Sequence, residues 1–256
     1  MLLVVDVGNT QTHFGTYDGD RLIEHWRFAT VRTSTADELG AALRSLLQLR
    51  GLGFERLTAS IVSSTVPQLE AEWRDMDQRY LGHETIVVGP GVKTGLAIRY
   101  DNPHEIGADR LVNSVVLRDR FEGPAVCVDF GTATTFDIVS EAGEYLGGVI
   151  LPGIEISLDA LTERGARLPR IDLAEPRGVI GKSTVDAIRS GILYGYAGAI
   201  DRILARIQDE MGEELDTIAT GGLSRRIVPF CERVDEVDDL LTLTGMRLIH
   251  EKNAAA

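Results

Sequence analysis

The chain repeats one pattern half a length apart. Leu2-Leu3-Val4-Val5-Asp6-Val7-Gly8-Asn9-Thr10 opens it, and Ala125-Val126-Cys127-Val128-Asp129-Phe130-Gly131-Thr132-Ala133-Thr134 follows midway through 256 residues. Each copy is a short apolar run, then Asp-x-Gly-Asn/Thr, then an alternating segment rich in Thr. Apolar runs of this length read as buried strands. Glycine lets the chain turn sharply and lets backbone approach a ligand. Backbone N–H groups and the Asn or Thr side chain can then donate to an anion. The neighbouring Asp can hold a hard cation directly or through its waters. A single Asp-x-Gly-Thr also occurs in ordinary turns. Two copies in matching strand contexts point to two similar domains with a site in the cleft between them.

Composition narrows the function. A hydrophobic fraction of 44% suits a soluble globular chain with ample core. The formal charge of −13 argues against nucleic acid and anionic membranes as partners, though not against a small anionic substrate. Two cysteines, Cys127 and Cys231, make neither a disulfide framework nor a metal cluster. Cys127 alternates with valines and reads as a buried free thiol. A first strand at Leu2 leaves no room for a leader peptide, and no apolar run approaches the roughly 20 residues of a membrane helix. These features predict a cytoplasmic protein.

The elements alternate strands and helices. Strands are expected at the opening, through Thr12–Thr16 to a hairpin at Asp18-Gly19, and over Leu22–Phe28, Thr58–Ser63 and Thr85–Val88. Thr35-Ala36-Asp37-Glu38 forms a capping box for a helix with Leu39, Leu43, Leu46 and Leu47 on one face. Helices follow from Pro67 and over Ile106–Phe121. The second half repeats the strands at Ala125–Phe130, Thr134–Ser140 and Tyr145–Leu151. A helix over Ile154–Arg164, an irregular stretch over Arg167–Lys182 and a long helix over Ser183–Met211 come next. A strand at Leu215–Ala219, a short helix, a strand near Arg233–Val237, a helix from Thr242 and a fraying Ala254–Ala256 close the chain. Mixed sheets flanked by helices are therefore expected, as domains 1–115 and 116–256.

Further candidates need weighing. Gly107-Ala108-Asp109-Arg110 sets a tight backbone at a helix start, where donors favour an anion. Its bland alternative is an acid helping the helix dipole beside a solvated Arg. Gly181-Lys182-Ser183 lacks the earlier glycine and the preceding strand of a P-loop and is rejected. Thr184 reads as a helix cap or a hydroxyl ligand. Thr220-Gly221-Gly222 allows close backbone approach to a nucleotide or is equally a strand-to-helix turn. His13 follows the first loop, where a solvent-facing strand position explains it as well as a role does. The long helix carries Ile188, Ile192, Leu193, Tyr196, Ile200, Ile203 and Leu204, a stripe too wide for one buried face. Gly191, Gly195 and Gly198 add a close-approach surface for a second copy.

Taken in order, Asp6–Thr10, Asp101-Asn102-Pro103 with Gly107–Arg110, Asp129-x-Gly131-Thr132-Ala133-Thr134-Thr135, Gly147-Gly148-Val149-Ile150-x-Pro152-Gly153 and Thr220-Gly221-Gly222 resemble the type III pantothenate kinases. The Asp-Gly-Thr loops are shared by the wider acetate kinase, sugar kinase, Hsc70 and actin superfamily; the middle motifs are the specific ones. The resemblance implies an α/β fold of two ribonuclease-H-like domains, with mixed five-stranded sheets and nucleotide in the interdomain cleft. It implies a homodimer that phosphorylates pantothenate with ATP and Mg²⁺, opening coenzyme A synthesis, and a need for K⁺ or NH₄⁺. It places Asp6, Val7, Gly8, Asn9, Thr10, Gln11, Thr12 and His13 in the first phosphate loop, with Asp6 as a Mg²⁺ ligand, and Thr132 on the nucleotide. Asp109 becomes the proton acceptor. Tyr100, Gly107, Ala108, Asp109, Arg110 and Thr184 line the pantothenate pocket, Thr184 from either subunit, and Asp129 binds the monovalent cation. The rivals are another phosphotransferase or phosphohydrolase of the superfamily, and an ATP-binding regulatory or assembly protein that dispenses with Asp109.

Overall fold

The computed structural model describes residues 1–165, 168–169 and 171–254. Arg167 and Arg170 of the irregular stretch and Ala255–Ala256 of the fraying end lie outside the described residues. The chain divides into two compact units, 1–116 with 240–256, and 117–239.

In the first unit, β1 (Leu2–Val7), β2 (Gln11–Asp18), β3 (Arg21–Ala29), β4 (Ala59–Ser64) and β5 (Thr85–Val87) form one sheet in the order β3-β2-β1-β4-β5. β1 pairs antiparallel with β2 and parallel with β4, so Asp6 lies opposite His13 on one side and Ser63 on the other. One face carries the apolar core of this unit. Leu3, Val5, Val7 and Phe14 pack there with Leu39, Leu43 and Leu47 of α1 (Ala36–Gln48) and with Trp73 and Met76 of α2 (Pro67–Met76). Each such side chain contributes about 1.5–3 kcal/mol through burial. The capping box at Thr35 forms as expected, with Glu38 N–H donating to Thr35 Oγ1 and Thr35 N–H to Glu38 Oε2. A two-residue strand β6 (Ala97–Ile98) and α3 (Ala108–Arg120) follow.

The second unit repeats the plan. β7 (Ala125–Phe130), β8 (Ala133–Val139), β9 (Glu144–Pro152), β10 (Asp216–Thr220) and β11 (Glu236–Val237) run in the order β9-β8-β7-β10-β11 within a six-stranded sheet, one strand more than the five expected. As in the first sheet, the first three strands pair antiparallel and the last two join in parallel. The sequence repeat is therefore a repeat of topology, with Asp6 and Asp129 near the ends of equivalent strands. α4 (Ile154–Arg164), the long α5 (Thr184–Met211) and the short α6 (Ser224–Ile227) belong to this unit. Val126, Val128, Phe130 and Phe136 form its core with Leu193, Ile200 and Leu204 of α5.

The closing helix α7 (Leu241–Ala254) groups with the first unit. It packs on β1, β2 and β4, on the sheet face opposite α1 and α2. The packing is close at Gly15, where a methyl would sit 3.2 Å from Leu243 Cδ1. A linear division at residue 115 leaves this helix with the second half, because its own pattern of buried Leu243, Met246 and Ile249 says nothing about which sheet it covers.

Candidate active site

The first loop is built by β1 running into β2. Gly8 N–H donates to Gln11 O at 3.1 Å, closing the turn, and a methyl on Gly8 would come 2.9 Å from that same oxygen. Val7 O accepts from Thr65 N–H at 3.0 Å and from Thr65 Oγ1 at 3.1 Å. Thr10 O accepts from Thr30 N–H at 2.9 Å, and the Thr12 and Thr30 hydroxyls meet at 2.9 Å. Asn9, Thr10 and Gln11 are exposed at the tip, whereas Asp6 is half-buried. The loop is thus clamped from outside while its tip faces solvent. Thr65, which was not singled out from sequence, holds it; its only signal was its place just beyond the end of β4.

His13 corrects an expectation. It is 9% exposed rather than solvent-facing, and its Nε2 lies 3.1 Å from His25 Nδ1 on the neighbouring strand. β2 is a central strand of its sheet, so a side chain there is covered on both flanks.

The second constellation leads into α3. Asn102 Oδ1 accepts from His104 N–H at 3.3 Å and Asn102 Nδ2 donates to Glu105 Oε1 at 2.7 Å, which stiffens the turn over Pro103–Glu105. Gly107 O accepts from Leu111 N–H at 3.3 Å, so the helix begins at once. Asp109 Oδ1 folds back to accept from Arg110 N–H at 2.9 Å. This fold-back requires glycine at 107, where a methyl would sit 2.5 Å from Asp109 Oδ1. Burial pushes the Asp109 carboxyl above its usual value, against the opposing pull of the Arg110 N–H and guanidinium. Arg110 itself is 7% exposed, so the solvated-Arg alternative does not hold. Tyr100, Gly107 and Ala108 are half-buried around this turn. A half-buried carboxylate with a raised pKa at a helix start is suited to accept a proton.

In the second unit Asp129 ends β7 beside Thr220 of β10, its parallel neighbour. Three glycines pack around this turn. A methyl on Gly221, whose φ is +90°, would sit 2.5 Å from Asp129 Oδ1 and 2.6 Å from the Phe130 backbone. A methyl on Gly131 would come 3.4 Å from Asp129 Oδ1, and one on Gly153 would strike Thr132 O. Thr132 is exposed at the tip. The strand-to-turn motif at Thr220-Gly221-Gly222 is therefore a close backbone approach to Asp129. Cys127 is fully buried beside it, and burial first and the charge of Asp129 second raise its thiol. Thr184 begins α5 but does not cap it: Ser183 Oγ accepts from Asp186 N–H at 3.1 Å, leaving the Thr184 hydroxyl exposed.

Among the described residues no group of three or more His, Cys, Asp or Glu could hold a metal alone. The site does fit an ion carried in by phosphate, because Mg²⁺ is usually held by one or two carboxylates plus phosphate oxygens and water. In the first unit Asp6, half-buried near the end of β1 beside the Gly8 turn, is a carboxylate of this kind.

Comparison with known proteins decides among the superfamily readings. A model of the type III pantothenate kinase family matches residues 2–206. The chain belongs to this family. A type III pantothenate kinase of Moorella thermoacetica is 49% identical, with 99% of this chain and 100% of that protein aligned. One of Anaeromyxobacter sp. strain Fw109-5 is 51% identical at the same coverage. In solved structures the same architecture recurs in the activator of 2-hydroxyisocaproyl-CoA dehydratase from Clostridium difficile with bound ADPNP. That match has a TM-score of 0.56 at 10% identity, covering 100% of this chain and 97% of that one. An inorganic polyphosphate/ATP-glucomannokinase from Arthrobacter sp. strain KM gives 0.51 at 15% identity, covering 99% and 98%. At such identities these two show the fold alone: two ribonuclease-H-like domains of mixed sheet flanked by helices.

Proposed function

We propose that the chain transfers the γ-phosphoryl group of ATP to the hydroxyl of pantothenate, giving 4'-phosphopantothenate, the step that opens coenzyme A synthesis. The observation that carries this reading is the Asp109 carboxylate, folded over Gly107 at the start of α3 in a chain that belongs to a family of pantothenate kinases. In the proposed step the substrate hydroxyl oxygen bonds to the γ-phosphorus. The bond from that phosphorus to the β,γ-bridging oxygen breaks and ADP leaves with the electron pair. The hydroxyl proton passes to Asp109. Phosphoryl transfer of this kind depends on alignment and charge neutralisation rather than on covalent catalysis. Asp6 to His13 hold the phosphates of ATP, Thr132 holds the nucleotide, and Tyr100 with Gly107–Arg110 holds pantothenate. Mg²⁺, bound through Asp6, supplies charge neutralisation on the phosphates. Asp129 takes K⁺ or NH₄⁺ among its glycines.

The working form is a homodimer in the cytoplasm. A methyl at Gly191, Gly195 or Gly198 would meet no atom within 4 Å, so packing within the chain does not explain these helix-weakening residues. Ile150, Ile156 and Leu161 of the same unit are 62%, 48% and 42% exposed, surface that a second copy would bury. Thr184, exposed and not used as a cap, is then available to pantothenate. No helix among the described residues is long and apolar enough to cross a membrane.

ADP release measured with and without pantothenate tests the activity. Dependence on pantothenate is expected; equal release in both would favour a phosphohydrolase. Light scattering tests assembly: a fully active species at the chain mass of 27.9 kDa would refute the dimer.

A further inference from the structure

The turn after β3 brings a cation to the first loop. Arg32 is exposed in that turn, and its Nη2 donates to Asn9 Oδ1 at 3.1 Å. A guanidinium has donors and no acceptor, so the Asn9 amide must present its oxygen to it. The amide nitrogen is thereby turned to Thr65, donating to Oγ1 at 3.4 Å. Thr65 is itself fixed on Val7 O. Arg32 thus decides which way round the Asn9 amide stands, and leaves its second Nδ2 hydrogen for an acceptor at the loop tip.

Charge is the second observation. The chain carries −13 overall, yet among the described residues no carboxylate pairs with Arg32. Other exposed arginines do pair, among them Arg50 with Glu24 and Arg79 with Asp37. An unneutralised guanidinium keeps its remaining N–H donors, in a planar fork that matches two phosphate oxygens. The turn is also tied to the loop, through Thr30 N–H on Thr10 O and the Thr12–Thr30 hydroxyl contact.

We propose that Arg32 is a triphosphate-binding residue, orienting the Asn9 amide and lending its charge to the phosphates held by the first loop. The inference rests on the kinase reading above for the identity of the anion.

The test is calorimetric and needs no turnover. Wild type, Arg32→Ala and Arg32→Lys are titrated with magnesium tripolyphosphate and, separately, with pantothenate. Arg32→Ala should bind tripolyphosphate at least about tenfold more weakly, as expected for loss of one charge-assisted hydrogen bond. Pantothenate affinity should stay within about twofold. Arg32→Lys, which keeps charge without the fork, should fall between wild type and Arg32→Ala. Binding of tripolyphosphate should also depend less on salt in Arg32→Ala. Unchanged tripolyphosphate affinity in Arg32→Ala, or equal weakening of both ligands, overturns the proposal. A wild type that binds tripolyphosphate through Arg32 but makes no phosphopantothenate would sink the kinase reading and leave this inference standing.

Discussion

Gly221 and Gly222 are neighbours in sequence, and the structure gives them opposite tolerances. Gly221 sits at φ +90°, a backbone region that costs a residue with a Cβ about 1–2 kcal/mol. Its added methyl would also lie 2.5 Å from Asp129 Oδ1 and 2.6 Å from the Phe130 N and C atoms. Two of those three atoms are backbone, so they cannot swing aside, and overpacking of this kind costs about 1–3 kcal/mol. Gly221→Ala should therefore destabilise by about 2–5 kcal/mol. At roughly 2–4 °C per kcal/mol for a chain of this size, Tm falls by about 4–20 °C. A methyl on Gly222 meets nothing within 4 Å and its φ is not positive, so Gly222→Ala should stay within about 0.5 kcal/mol of wild type. Scanning calorimetry on the pair checks both values, and the shared sequence neighbourhood makes one variant the control for the other. The surviving fraction of Gly221→Ala should also respond less to K⁺, because the carboxylate it displaces is Asp129. Equal Tm values for the two variants would refute the close approach to Asp129.

Asp109→Asn should lose about 10²–10⁴-fold in turnover while its far-ultraviolet circular dichroism and nucleotide binding stay as in wild type; retention of more than a tenth of the activity would contradict a proton acceptor. Because the base must be ionised and burial raises its pKa, the acidic limb of kcat/KM should lie above the usual aspartate value of 3.8. A limb at or below that value would show the carboxyl to be unperturbed. Asp77 is fully buried, accepting from Ser60 and Thr85, and burial raises its pKa despite those bonds and the nearby His83. Its protonation thus favours the folded state at low pH, and that contribution is lost as pH rises through the raised pKa. Asp77→Asn should accordingly gain stability relative to wild type as pH rises above the usual aspartate range in urea titrations; a relative loss would reverse the sign of the argument. Turnover in Na⁺ or Tris buffer should be low and rise on adding K⁺ or NH₄⁺, and equal rates would remove the monovalent ion from the account.

Local chemistry made much of this molecule legible. The Asp-x-Gly repeat was readable because a strand running into a glycine turn is written in consecutive residues, and five strands of each sheet follow the same order around it. Capping at Thr35 and the start of the helix at Ala108 were equally local. What escaped were contacts made across the sheet. Thr65 and Arg32 hold the first loop from positions far along the chain, and an isolated Thr or Arg in a turn carries no signal of what it will touch. For His13 a solvent-facing position stood open beside a role in the loop, because alternation alone does not say which strands are central. The turn Asp77–Leu81, a π-helical extension of α2 closed by Gly82 at φ +75°, has no pattern that separates it from an ordinary helix end.

The fate of the γ-phosphorus tests the central claim most directly. The protein is incubated with ATP labelled at that position, Mg²⁺, K⁺ and pantothenate, and the labelled products are separated. The account predicts one phosphate ester of pantothenate for each ADP formed, with Asp109→Asn yielding almost none. Label appearing in inorganic phosphate alone, at the same rate with and without pantothenate, would contradict it.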